Sequence, residues 1–216
     1  MKRLTLFCGH YGSGKTNIAV NYALHLKAQG FDTVIADADI VNPYFRTKDS
    51  EDELRAAGVD VISLPFANTN VDLPSLPSEL YSVVQNRSRH AVLDIGGDDR
   101  GATALGRFAP YILEEGDFES LLVVNFYRPL TRTAAEALEV LHEISAATTV
   151  PVTGIVNNSN LGAETTADDV RATLDEAKAL SEACGLPVVF TSVEERLAGE
   201  LSDVPDLFPM KLQRRM

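Results

Sequence analysis

Gly9, four further residues, then Gly14, Lys15 and Thr16 make the spacing G-x-x-x-x-G-K-[ST], an arrangement suited to cradling a polyphosphate. The chemistry such a loop offers is electrostatic. Gly9, Gly12 and Gly14 permit turn conformations closed to other residues, so that N–H groups along Gly9, His10, Tyr11, Gly12, Ser13, Gly14, Lys15, Thr16 and Asn17 can converge on an anion at a helix N-terminus. Lys15 would hold the β- and γ-phosphate oxygens as a point charge, and the Thr16 hydroxyl would ligate Mg²⁺. The plainer reading is a glycine-rich turn that happens to contain Lys-Thr. Its flanks argue against that: Leu4, Leu6 and Phe7 precede it as a strand-like run, and Ile18, Ala19, Tyr22, Ala23 and Leu26 follow it at helical spacing. A dinucleotide loop, G-x-G-x-x-G, would need glycine at position 17 and finds Asn17.

Other polar residues fall where apolar runs end. Asp37 and Asp39 follow the run 33–36, and Asp94, Gly96 and Gly97 close the run that begins at Ala91. Asp94 fits the acid that holds Mg²⁺ through its water shell, with a solvated strand-end acid as the alternative. Gly96 and Gly97 would let the next segment swing an N–H onto the γ-phosphate and release it after hydrolysis, while Asp98, Asp99 and Arg100 on that segment are placed to sense the nucleotide. Asn157 and Asn158 end the run 152–156, and Thr191 with Ser192 ends the run 188–191. The stretch Asn157-Asn158-Ser159-Asn160 lacks the lysine and aspartate of the guanine-reading N-K-x-D motif, and an asparagine amide can both donate to and accept from adenine, so ATP is favoured over GTP. Thr191 and Ser192 would form the second wall of the base pocket, although all of these fit ordinary strand-end polar residues too.

The elements that must position these residues alternate. Strands are expected at 33–36, 60–64, 91–95, 121–125, 152–156 and 188–191 besides the first, with helices after the glycine loop, at 51–57 and near 78–85. Thr133 with Glu136 marks a helix start, as do Thr166 with Asp169, whose helix turns Val170, Leu174 and Ala177 inward before Gly185 and Pro187 end it. Ser192 with Glu195 suggests one more short terminal helix. Residues 41–48 and 65–77 read as loops. Such alternation implies a three-layer α/β domain spanning 1–216, with a mainly parallel sheet of about seven strands, helices on both faces, and ligands at the strand C-termini.

Composition sets outer limits. The chain of 216 residues is 45% hydrophobic, and it contains no apolar run approaching the ~18 residues of a membrane span. Its first apolar run is short and leads straight into the glycine loop, unlike a secretory signal, so a cytoplasmic location is expected. A net charge of −12 opposes nonspecific nucleic-acid binding. Lys2 with Arg3, and Lys211 with Arg214 and Arg215, read as solvated basic ends. Cys8 and Cys184 show no metal spacing and read as small buried hydrophobes, and His10, His25, His90 and His142 show no metal spacing either.

With GHYGSGKT, DADIVNPYFR, DIGGDDRGA and GIVNNSNLGAETT on the page, the chain resembles the MinD/ParA/CobQ-type P-loop ATPases of the SIMIBI class, and among them a group of small bacterial ATP-binding proteins. That resemblance implies ATP and Mg²⁺ as ligands. It implies Lys15, Asp39 and Asp94 as catalytic residues, Thr16, Asp39 and Asp94 around the metal, and Asp39 positioning the attacking water. It also implies a nucleotide-dependent homodimer, and a switch or assembly factor that acts on a protein partner. In the MinD/ParA branch a second lysine directly follows the first glycine of the loop and reaches the opposing subunit's phosphates. Here that position is His10, with Tyr11 in place of the next glycine, so slow intrinsic hydrolysis is expected unless a partner supplies an arginine. The alternative on the same fold is an ATP-dependent small-molecule kinase or ligase of the dethiobiotin-synthetase or cobyrinate-synthetase type. In that case Tyr44, Arg46 and Lys48, or Asn125, Tyr127 and Arg128, would contact an acceptor; as exposed loop residues they fit a protein partner too.

Overall fold

The strand β1 (Leu4–Cys8) is buried along its whole length, and the alternation of its side chains splits them between two apolar layers. Leu4, Leu6 and Cys8 face one layer and Phe7 the other. The computed structural model describes residues 1–38, 50–62, 78–96 and 99–213. Asp39, the 41–48 loop with Tyr44, Arg46 and Lys48, the 65–77 loop, Gly97, Asp98, Arg214 and Arg215 lie outside the described residues, as do the side chains of Asp99 and Arg100.

Around β1 the sheet adds β2 (Thr33–Ala38), β3 (Asp60–Ile62), β4 (His90–Ile95), β5 (Phe118–Val124), β6 (Gly154–Asn157), β7 (Val188–Glu194) and β8 (Leu207–Met210). Their order is β3-β2-β4-β1-β5-β6-β7-β8, and every pair is parallel. Parallel neighbours need crossovers, which place all strand C-termini along one edge. Helices α1 (Lys15–Ala28) and α2 (Glu51–Ala56) cover one face, where Ile18, Ala23, Leu26 and Leu54 pack on Phe7, Ile35 and Val92. On the other face lie α3 (Ser78–Gln85), α4 (Asp99–Glu115), α5 (Ala134–Thr148) and α7 (Leu174–Cys184), which bring Val83, Phe108, Ile112, Leu141 and Leu180 against Leu6, Leu93 and Leu122. The three-layer expectation is met, with eight strands rather than about seven.

The extra strand belongs to a region that local pattern misreads. Ser192 does not cap a helix: it lies buried inside β7 and donates to Asn157 O at 3.3 Å and to Asn158 Oδ1 at 2.7 Å. Only a 3₁₀ turn, Glu195–Leu197, follows. Beyond it Leu197, Leu201 and Val204 pack with Val193, Ala167 and Val170 in a small third core, from which β8 returns to the sheet. Similarly, the helix expected from Thr166 is two helices, α6 (Ala167–Arg171) and α7. Thr173 at the break donates its hydroxyl to Val170 O at 2.9 Å and accepts from Asn157 Nδ2 at 3.2 Å, so a buried strand-end amide fixes the interruption. Helix α4 forms although Gly101, Gly106 and Pro110 punctuate it. Burial of Phe108, Ala109 and Ile112 outweighs those breakers.

Arg3 is also misplaced by the sequence reading. It is 6% exposed, not solvated: its guanidinium pairs bidentately with Glu115 and donates to the carbonyls of Val83, Val84, Asn86 and Arg89. Cys8 is buried as expected, whereas Cys184, at the end of α7, is half-buried. The expected caps at Thr133 and Thr166 are present as capping boxes, and Gly185 ends α7 in the left-handed region.

Candidate functional site

The glycine loop joins β1 to α1 at the C-terminal edge of the sheet. Gly9 has φ 146°, and a Cβ there would stand 2.5 Å from Val123 O of the neighbouring strand. Gly14 has φ 91°, and a Cβ there would collide with Asn158 Nδ2. Close approach therefore dictates both positions. The loop closes on itself through Ser13 N, which donates to His10 O at 3.2 Å. Lys15 is 7% exposed, and its ammonium arcs back to donate to the same carbonyl at 3.1 Å. The His10 ring lies 3.1 Å from Tyr11 O, and Tyr11 is 62% exposed.

Helix α1 opens without an acid. Its N-cap is Gly14, with no side-chain cap and no acid in the first turn; α2 and α7 also lack a side-chain cap but carry acids there, and α5 and α6 have full capping boxes with Glu136 and Asp169. An uncapped N-terminus keeps partial positive charge from its first-turn N–H groups, to which Lys15 adds a full one. Ser13 Oγ is buried in the same loop without a hydrogen-bond partner among the described residues.

Strand register brings the acids to this loop. Asp94 on β4 pairs with Phe7 on one side and Asp37 on the other, so both carboxylates project toward the α1 face together with Phe7. There Thr16 Oγ1 donates to Asp94 Oδ2 at 2.5 Å, and Asp37 and Asp94 are both buried. A hydroxyl against a carboxylate is an all-oxygen donor set of the kind a hard cation takes, so these residues fit Mg²⁺. Among the described residues no cluster of three His, Cys, Asp or Glu side chains could hold a metal, so phosphate and water would complete the shell. Burial pushes the Cys8 thiol beside the loop up to about 11, more than its Ser120 hydrogen bond and the Lys15 charge pull it down.

The strand-end asparagines serve the loop from behind. Asn158 is 1% exposed: it donates from Nδ2 to Ser13 O at 2.7 Å and accepts from Ser192 on Oδ1. Asn157 is 0% exposed, with its amide turned to Thr173 and to the N–H and hydroxyl of Ser159. Neither presents its amide at the surface, and Thr191 is buried within β7. Beside them is a narrow cleft with room for about one water molecule, lined by Ser159, Asn160, Thr165, Glu194, Met210 and Leu212 among others. Sequence reasoning missed Met210 and Leu212, since β8 and the residues after it gave no motif. Asn125 is likewise internal, bonded to Asn160 and Tyr127, and Arg128 is exposed. Asn17 turns its side chain from the loop toward Met210 Sδ and Gln213 N. Asp39 and Gly97, expected at this edge, lie outside the described residues.

No protein-family model matches the chain, and no curated protein matches it. Solved structures do. The signal recognition particle receptor FtsY of Elizabethkingia anophelis shares 20% identity at a TM-score of 0.59, over 91% of this chain and 60% of that one. Chloroplast FtsY of Physcomitrella patens shares 18% at 0.63, over 90% and 59%. The Elizabethkingia FtsY in complex with GDP shares 17% at 0.56, over 91% and 58%. The chain shares the three-layer α/β fold of these structures. The chain spans about 60% of the length of the first of these FtsY chains. The likeness does not single out the MinD/ParA branch that the motifs resemble. Among the described residues, no helix is long and apolar enough to cross a membrane.

Proposed function

We propose that the chain binds a Mg²⁺–nucleoside triphosphate at the Gly9–Thr16 loop and acts as a slow, nucleotide-dependent switch of the MinD/ParA-like class. The observation that carries this reading is the 2.5 Å bond from Thr16 to Asp94 beside an uncapped helix N-terminus and the buried Lys15. Loop amides and Lys15 would bind and orient the phosphates, and Asp94 would hold Thr16 in position. Bound Mg²⁺ would supply charge neutralisation on the phosphate oxygens. The loop carries one cation, with His10 where a second would be needed, which supports slow turnover without a partner. Asp39 is proposed to position the attacking water, and Gly97 to contact the γ-phosphate. In the triphosphate state the adjoining segments would present a surface to a second copy or to another protein.

ATP is proposed as the ligand because the loop after β6 lacks the N-K-x-D pattern. The similarity to a GDP-bound structure makes GTP the competitor to test. Titration calorimetry with Mg²⁺ and each triphosphate should show uptake, tighter for ATP, and no metal-dependent heat with either would end the nucleotide reading. Asp39→Ala should retain binding but lose hydrolysis in a phosphate-release assay; unchanged turnover would remove Asp39 from the mechanism.

A further inference from the structure

The segment after β8 does not leave the molecule but lies along the helix that carries the phosphate loop. Asn21 on α1 accepts from Lys211 N at 2.9 Å and donates to Lys211 O at 3.0 Å, so one side-chain amide closes a two-bond pair with the backbone as a neighbouring strand would. One turn nearer the loop, Asn17 donates to Met210 Sδ at 3.3 Å and accepts from Gln213 N at 3.2 Å. The Gln213 side chain then donates to the buried Ser50, the residue that opens α2. Meanwhile Met210 and Leu212 form a wall of the cleft beside Asn160 and Glu194. Seven residues thus touch three things at once: the helix starting at Lys15, the start of α2, and the narrow cleft beside the strand-end asparagines.

We infer that residues 207–213 act as a strap that holds bound nucleotide in place, with Asn17, Asn21 and Gln213 as its positioning residues. The inference rests on the nucleotide reading of the loop. A docked strap supplies one side of the cleft and fixes the first turns of α1. Releasing it opens that side without touching the phosphate contacts, so it governs escape more than entry. Coupling of this kind is reciprocal, and nucleotide must hold the strap down as firmly as the strap holds nucleotide.

The test compares the full chain with Asn21→Ala and with a chain shortened after Met210, which keeps β8. Stopped-flow displacement of fluorescent methylanthraniloyl ADP and GDP gives the dissociation rates. Both variants should release nucleotide about tenfold faster, the change expected for the loss of two ordinary hydrogen bonds, with association within about twofold of the parent. Hydrogen exchange at the Lys211 and Gln213 amides should slow when ADP is bound to the full chain. Parental release rates from both variants, or exchange at those amides indifferent to nucleotide, would overturn the strap alone. A full chain that gives no fluorescence change with either nucleotide would overturn the nucleotide reading and the strap with it, and this shows before any variant is made.

Discussion

The two edges of the sheet each bury a cation, and they surround it differently. At the N-terminal edge Arg3 is surrounded by acceptors: both oxygens of Glu115 and the carbonyls of Val83, Val84, Asn86 and Arg89. At the C-terminal edge Lys15 donates to the carbonyl of His10, within a glycine loop that opens a helix with no side-chain cap and no acid in its first turn. Burial of a charge is common to both and therefore does not mark a site. Position does, because a carboxylate paired with Arg3 neutralises its charge, whereas the first turn of α1 beside Lys15 carries no acid. Arg3 joins β1 to α3 and α4, while Lys15 is held in an environment suited to an anion.

The comparison can be broken in order of expected effect. Arg3→Met leaves Glu115 buried without its partner, and should destabilise the fold by about 3–5 kcal/mol in urea unfolding; adding Glu115→Leu should recover much of that loss. A single variant as stable as the parent would make the Arg3 cluster irrelevant. The pH dependence comes next. Burial pushes the Cys8 thiol up to about 11 from its ordinary 9.0, so above the lower value the unfolded chain gives up a proton that the folded one keeps. Stability tied to this group is therefore full below pH 9 and declines through pH 11, by about 2–3 kcal/mol, a decline that Cys8→Ala should lessen in pH-resolved melting.

Lys15→Ala should weaken triphosphate binding by about 1.5–3 kcal/mol or more, while shifting the melting midpoint far less than Arg3→Met does. Equal calorimetric affinity for the variant and the parent would erase the distinction between the two edges. The smallest effect belongs to Asn158→Ala, which removes the 2.7 Å brace on Ser13 O without touching ligand. It should lower affinity by about 1 kcal/mol, and an unchanged dissociation constant would show that the loop needs no support from β6.

Reading the chain alone was most successful where structure is contiguous. The Gly9–Thr16 spacing, the period-2 and helical patterns around it, and the Thr133 and Thr166 capping boxes each lie within one or two turns of chain, and geometry follows from the neighbours themselves. Asp94 was legible because the end of a buried parallel strand is a predictable place. The same local logic misplaced Ser192, whose spacing to Glu195 imitates a cap while its hydroxyl is taken by Asn158 on the neighbouring strand.

Sequence by itself thus determined the layered α/β order and the strand, glycine loop and helix sequence from Leu4 to Ala28. Tertiary structure alone decided that Arg3 is sealed, that Asn157 and Asn158 turn inward, that α6 and α7 separate at Thr173, and that residues 210–213 return to Asn17 and Asn21. The reason is separation along the chain. Arg3 meets Glu115 across 112 positions, Asn158 meets Ser13 across 145, and Asn21 meets Lys211 across 190, so only the assembled sheet brings each donor to its acceptor.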